Sequence, residues 1–184
     1  GHADPELFAR WMALGSISPF FRGHVTNGVN DQEPWSFGIE VEAISREFIT
    51  ARYELVPYLY SLFREATQTG APVLRPLVYE FQDLEETHSI GDQAMLGSHL
   101  LFAPILARGV TRRSIYLPPG RWLDAESGAL REGPGRFEVS TSLAALPIWM
   151  REGAIVPRRE ATRYIDESPV QRLRVDLYPG PTPT

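Results

Sequence analysis

The spacing of apolar residues changes character at Pro72, and no single layer of secondary structure accommodates both halves of the chain. Before it, Leu7, Phe8, Trp11, Met12 and Leu14, and then Ile44, Phe48, Ala51, Leu55, Leu59, Phe63 and Ala66, recur every three or four residues. That is the period of amphipathic helices. After it, short apolar runs (Val73 to Phe81, Leu100 to Leu106, Ser114 to Leu117, Phe137 to Val139, Leu146 to Met150) alternate with Gly- and Pro-rich turns. Such runs predict an antiparallel β-sandwich. Leu173 to Tyr178 alternates in strand period and predicts one more strand, followed by Pro-Gly-Pro-Thr-Pro-Thr.

In the helical half, Asp4-Pro5-Glu6 is a strong helix start: a capping acceptor, a proline in the first turn and a negative charge at the positive end of the dipole. Gly15 offers a left-handed stop. Ile17 to Phe21 then reads as a short strand buried on both faces, although Pro19 weakens that reading. Arg22 to Gly38 breaks into a long polar loop carrying Trp35 and Phe37. A loop of that length is uncommon without a function. The second periodic stretch predicts a long helix ending at Gly70, kinked or split at Pro57. A lone buried strand cannot make a sheet, so its neighbours are expected from upstream of Gly1 or from another chain.

Composition narrows the function classes. There is no cysteine, which excludes disulfides, thiolate metal sites and cysteine nucleophiles. All 18 basic residues are arginine, against 23 acidic ones, for a formal charge of -5. The arginines are scattered among carboxylates, so nothing resembles a nucleic-acid footprint. No apolar run approaches the roughly 18 residues of a membrane helix, and no charged leader opens the chain. Because the chain begins with Gly1, that says little of export; the cytoplasm is the favoured compartment.

Arg22 and His24 fall just beyond the carboxyl end of the expected strand, where parallel α/β barrels build their sites. Asp31 and Glu33 share the loop with His24, and paired carboxylates are the usual tools of acid/base chemistry. Asp31 sits in an Asn-Asp turn, however, and Glu33 in a Glu-Pro-Trp run that reads as a loop-to-helix brace. Trp35 and Phe37 could stack on a flat ligand face, but a core role is favoured. His88, Asp92 and His99 show no metal-ligand spacing. Trp122 and Trp149 are expected in the core of the sandwich.

Several of these segments together resemble a known family. Glu6-Leu7-Phe8-Ala9-Arg10-Trp11, Pro19-Phe20-Phe21-Arg22-Gly23-His24 and Glu33-Pro34-Trp35 are similar to the end of the catalytic barrel of family 31 glycoside hydrolases. Arg52-Tyr53, Pro57-Tyr58-Leu59-Tyr60, Pro72-Val73-Leu74-Arg75-Pro76-Leu77, Gly120-Arg121-Trp122 and Arg151-Glu152-Gly153-Ala154-Ile155-Val156-Pro157 look like its later signatures, in order. The resemblance implies an α/β plus all-β chain: the last helix, strand and helix of a (β/α)8 barrel (1–72), a β-sandwich (73–168) and the start of a second β-domain (169–184). It implies a retaining exo-acting α-glucosidase, with α-xylosidase, α-transglucosylase or a non-catalytic carbohydrate-binding module as alternatives. No cofactor or metal is implied. The catalytic aspartate pair would precede this stretch, leaving no catalytic residue in the chain and the chain alone inactive. His24 would donate to a sugar hydroxyl, and Arg22 would orient or neutralise a neighbouring carboxylate. The partners implied are an α-linked oligosaccharide or glucoside, and the remainder of the parent enzyme or a second copy.

Overall fold

The computed structural model describes residues 3–180. Helix α1 spans Pro5–Ile17, and Asp4 caps it by accepting from the Leu7 amide at 2.8 Å. The helix does not stop at Gly15 as expected. It runs two residues further, and Ser18 ends it, its Oγ donating to the Leu14 carbonyl at 2.9 Å and its amide to that of Gly15 at 3.1 Å. Gly15 serves instead as a contact point, since a Cβ there would lie 2.2 Å from the Phe21 ring.

The strand expected from Ile17 to Phe21 is not formed. Ile17 is the last helical residue and is buried, and although Ser18 adopts an extended backbone, the following residues join no ladder among the described residues. A strand exists only through neighbours that take its N–H and C=O groups. Here the carbonyls of Ser18 and Pro19 go to the Arg52 guanidinium.

After the polar loop, a 3-10 turn at Pro34–Phe37 leads into α2, Ile39–Glu54, and α3, Val56–Thr69. The break falls at Leu55. Pro57 lies in the first turn of α3, where its missing N–H costs nothing. Gly70 closes α3 with φ 77°, the left-handed conformation a glycine takes most easily. The single apolar stripe expected across both helices is in fact two. Val41 and Ile44 of α2 pack on Phe8, Ala9 and Met12 of α1, while Tyr58, Leu59 and Leu62 of α3 turn onto the β half.

That half is a six-stranded antiparallel sheet of order β1-β2-β3-β6-β4-β5 plus a two-stranded ribbon, β7-β8. The strands are β1 Leu74–Pro76, β2 Ala94–Leu96, β3 Leu100–Phe102, β4 Arg112–Asp124, β5 Leu130–Ser140, β6 Ile148–Arg151, β7 Ala154–Arg158 and β8 Arg174–Tyr178. Strand period 2 sorts their side chains into two cores. Leu96, Leu100, Phe102 and Met150 face α3 and the ribbon; Met95, Leu101 and Trp149 face away, with Leu77, Ile115, Leu117 and Trp122. The run from Val73 to Phe81 keeps only three strand residues. Pro76 has no N–H with which to extend a ladder, and the chain turns into a short helix, α4, Leu77–Glu80, followed by α5, Glu85–His88. The last expected strand, β8, pairs in register with β7, apart from the larger sheet.

Candidate functional site

Residues 18–24 leave the buried end of α1 and emerge beside α2, carrying Arg22 and His24 outward. The two meet: Arg22 Nη2 lies 2.8 Å from His24 Nδ1. A guanidinium only donates, so Nδ1 must be the acceptor and the imidazole is neutral with its proton on Nε2. One bond thereby selects the tautomer and leaves an Nε2–H donor uncommitted to Arg22. Both side chains are exposed. They border a groove of about 790 Å³ shared with Phe20, Phe21, Gln32 and Tyr53. Its size falls within the roughly 300–1,000 Å³ of small-molecule clefts.

No carboxylate lines this groove among the described residues. Asp31 borders a different hollow, with Val29 and Ser36. Glu33 stands at the cap of the 3-10 turn and accepts from Ser36 Oγ at 3.4 Å, as a brace. The groove thus sets an imidazole and a guanidinium at the border of a largely apolar lining, and among the described residues it lacks the paired carboxyl groups of glycoside hydrolysis. Phe37 stacks on Phe8 with ring centroids 4.1 Å apart. Trp35 corrects the core reading, being 67% exposed.

The remaining candidates are dispersed. His88 Nε2 is 2.8 Å from the Gln82 carbonyl, and Asp92 pairs with Arg113 at 2.9 Å. His99 lies at the head of β3, half-buried. Trp122 and Trp149 are both buried in the core facing away from α3. Sequence reasoning missed Gln32 and Tyr53 as groove residues and gave Arg52 no role. For Arg52 a signal was present, a charge standing four residues after Phe48 on the apolar stripe that includes Ile44.

Comparison with known proteins places the chain in a family. The model of the glycosyl hydrolases family 31 TIM-barrel domain matches residues 1–62, and that of the family 31 C-terminal domain matches residues 70–156. The chain belongs to glycoside hydrolase family 31. It is 40% identical to alpha-glucosidase 2 of Bacillus thermoamyloliquefaciens over 96% of its own length and 22% of that protein. A family 31 dextranase of Flavobacterium johnsoniae, solved with isomaltotriose, superposes with a TM-score of 0.93 at 37% identity, covering 96% of this chain and 22% of that one. A family 31 α-xylosidase from a soil metagenome, solved with xylose, gives 0.76 at 33% identity over 82% of this chain and 25% of that one. This family 31 chain thus spans about a fifth to a quarter of the relatives it matches. Its helical half is the end of the family's barrel, and its β half is the C-terminal domain that follows.

Proposed function

We propose that the protein carrying this chain is a retaining, exo-acting α-glucosidase releasing terminal α-linked glucose from oligosaccharides, and that His24 and Arg22 stand at its sugar subsite. The observation that carries this is the Arg22–His24 bond at the border of the groove. It presents a neutral imidazole N–H to a ligand hydroxyl beside a permanent positive charge, which suits a polyol next to a carboxylate. The nucleophile and the acid/base belong to parts of the barrel outside this chain, since the groove holds no carboxylate pair. On the same reading, residues 1–72 complete the barrel, 73–168 form the adjoining β-domain and 169–184 open a second one. A second reading, α-xylosidase, draws on the likeness to the xylose-bound relative, because the same subsite would hold a sugar lacking the outer hydroxymethyl group.

The test is kinetic and uses the full-length enzyme. His24→Ala should lower kcat/KM for an aryl α-glucoside by about 1–3 kcal/mol of transition-state stabilisation, the worth of one hydrogen bond to a substrate hydroxyl, without lowering the melting temperature. Unchanged kcat/KM would remove His24 from the subsite. The ratio of aryl α-glucoside to aryl α-xyloside turnover by the unaltered enzyme decides between the two readings.

A further inference from the structure

Arg52 of α2 reaches across to the segment that delivers Arg22 and His24. Its Nη1 donates to the carbonyls of Gly15 at 3.3 Å, Ser16 at 3.1 Å and Ser18 at 2.6 Å, and its Nη2 to that of Pro19 at 3.3 Å. Gly15 and Ser16 belong to the last turn of α1, whose carbonyls form the negative end of the helix dipole. The last turn of α1 has no basic residue of its own, so Arg52 supplies that charge from another element. Among the described residues no carboxylate pairs with Arg52, and burial lowers its pKa. A half-buried guanidinium held only by carbonyls spends its charge on shaping backbone.

A second contact tightens the same place. The guanidinium carbon lies 5.6 Å from the centre of the Phe21 ring. The same ring presses on Gly15 so closely that a methyl group there would collide with it. The Phe21 ring is thereby held by a glycine without a side chain and by the cation that bonds the four carbonyls of the same segment. The next residue is Arg22.

We infer that Arg52 is a positioning residue of the sugar subsite, acting through His24 and Arg22 by fixing the backbone from which they project. The inference rests on the subsite reading above. Arg52 also lines the groove, but its guanidinium is committed to four backbone carbonyls, so its effect passes through the placement of His24. A misplacement of about 1 Å at a site can cost up to about 100-fold in rate.

A double-mutant cycle in the full-length enzyme tests this, with kcat/KM for an aryl α-glucoside and thermal melting measured on each variant. Arg52→Met should lower kcat/KM by about tenfold or more, and should cost far less in a His24→Ala background, because the group it positions is already gone. Arg52→Lys keeps a cation at the helix end but cannot span the four carbonyls; it should give a smaller loss with the same coupling, and it replaces the methionine variant if that one fails to fold. Arg46→Met, which removes an exposed pair with Glu42 on the same helix, should leave kcat/KM unchanged. Equal losses from Arg52→Met with and without His24 would overturn the positioning role. No loss from His24→Ala would overturn the subsite reading itself, and the inference with it.

Discussion

His99, at the head of β3, illustrates how a single side chain can tie stability to pH. Burial disfavours its charged form, and the nearby Arg151 guanidinium adds repulsion, while Glu65 and Glu80 pull the other way and Arg75 reinforces the first two. The balance holds its pKa below the ordinary 6.5. Between the folded and unfolded values the unfolded chain binds more protons, so this contribution is fully present above the unfolded pKa and is lost as pH falls below it. Melting temperatures of the chain should therefore drop as pH is lowered from about 7 to about 5, the range in which histidine titrates. His99→Gln should flatten part of that drop. An identical slope in the variant would show that the other histidines and the carboxylates account for all of it.

Arg75 does for elements what His99 does for a residue. Standing on β1, with its side chain 5% exposed, it donates to the Pro72 carbonyl at 2.8 Å, to Glu80 of α4 at 2.6 Å and to Glu65 of α3 at 2.7 Å. Burial disfavours its charge, but the bonds to Glu80 and Glu65 outweigh that and raise its pKa. Beside it, Tyr58 Oη of α3 donates to the Leu96 carbonyl of β2 at 2.8 Å, so polar contacts reinforce the apolar seam between helix and sheet. Removing one partner of a buried pair strands the other's charge. Arg75→Met should cost about 3 kcal/mol of unfolding free energy in urea, mostly through the 13%-exposed Glu80. Glu65→Gln, on a 40%-exposed partner, should cost less than about 1 kcal/mol. Equal costs would show that the cluster is held by packing alone. A looser and more exposed network of Glu54, Arg158, Asp176 and Arg174 links the β7-β8 ribbon to the end of α2.

At the scale of the molecule, the helical half carries large apolar side chains in solvent: Trp11 is 60% exposed, Phe20 76% and Ile39 87%. The first two border the groove that holds His24. Apolar surface of this kind is seldom left uncovered. The chain by itself is therefore expected to self-associate, or to bind the remainder of the barrel when that is supplied. Size-exclusion chromatography with light scattering on the isolated chain is the measurement, and a sharp monomer peak across a hundredfold range of concentration would refute it. The β half also exposes apolar side chains, Leu106 and Leu177 among them, but its two tryptophans, Trp122 and Trp149, are enclosed as their strand positions predicted.

What was legible in the sequence is what neighbours along the chain enforce. Asp4 caps α1, Gly70 ends α3, Pro57 starts a new helix and the period changes after Pro72, because capping, φ restriction and side-chain spacing act within a few residues. The ordered motifs from Glu6 to Pro157 were enough to point to family 31. They also put Arg22 and His24 forward as candidates, without the bond that joins the two side chains. The tertiary structure decided the rest. Ser18 rather than Gly15 ends α1, Ile17 to Phe21 forms no ladder, the helical stripe divides between α1 and the sheet, Trp35 stays outside the core, and Arg52 closes on four carbonyls. Apart from the end of α1, where Ser18 bonds Leu14 and Gly15, each of these depends on a group more than a few positions away, or on one that fails to arrive. Local propensity carries no information about which distant atom will satisfy a carbonyl or cover a ring.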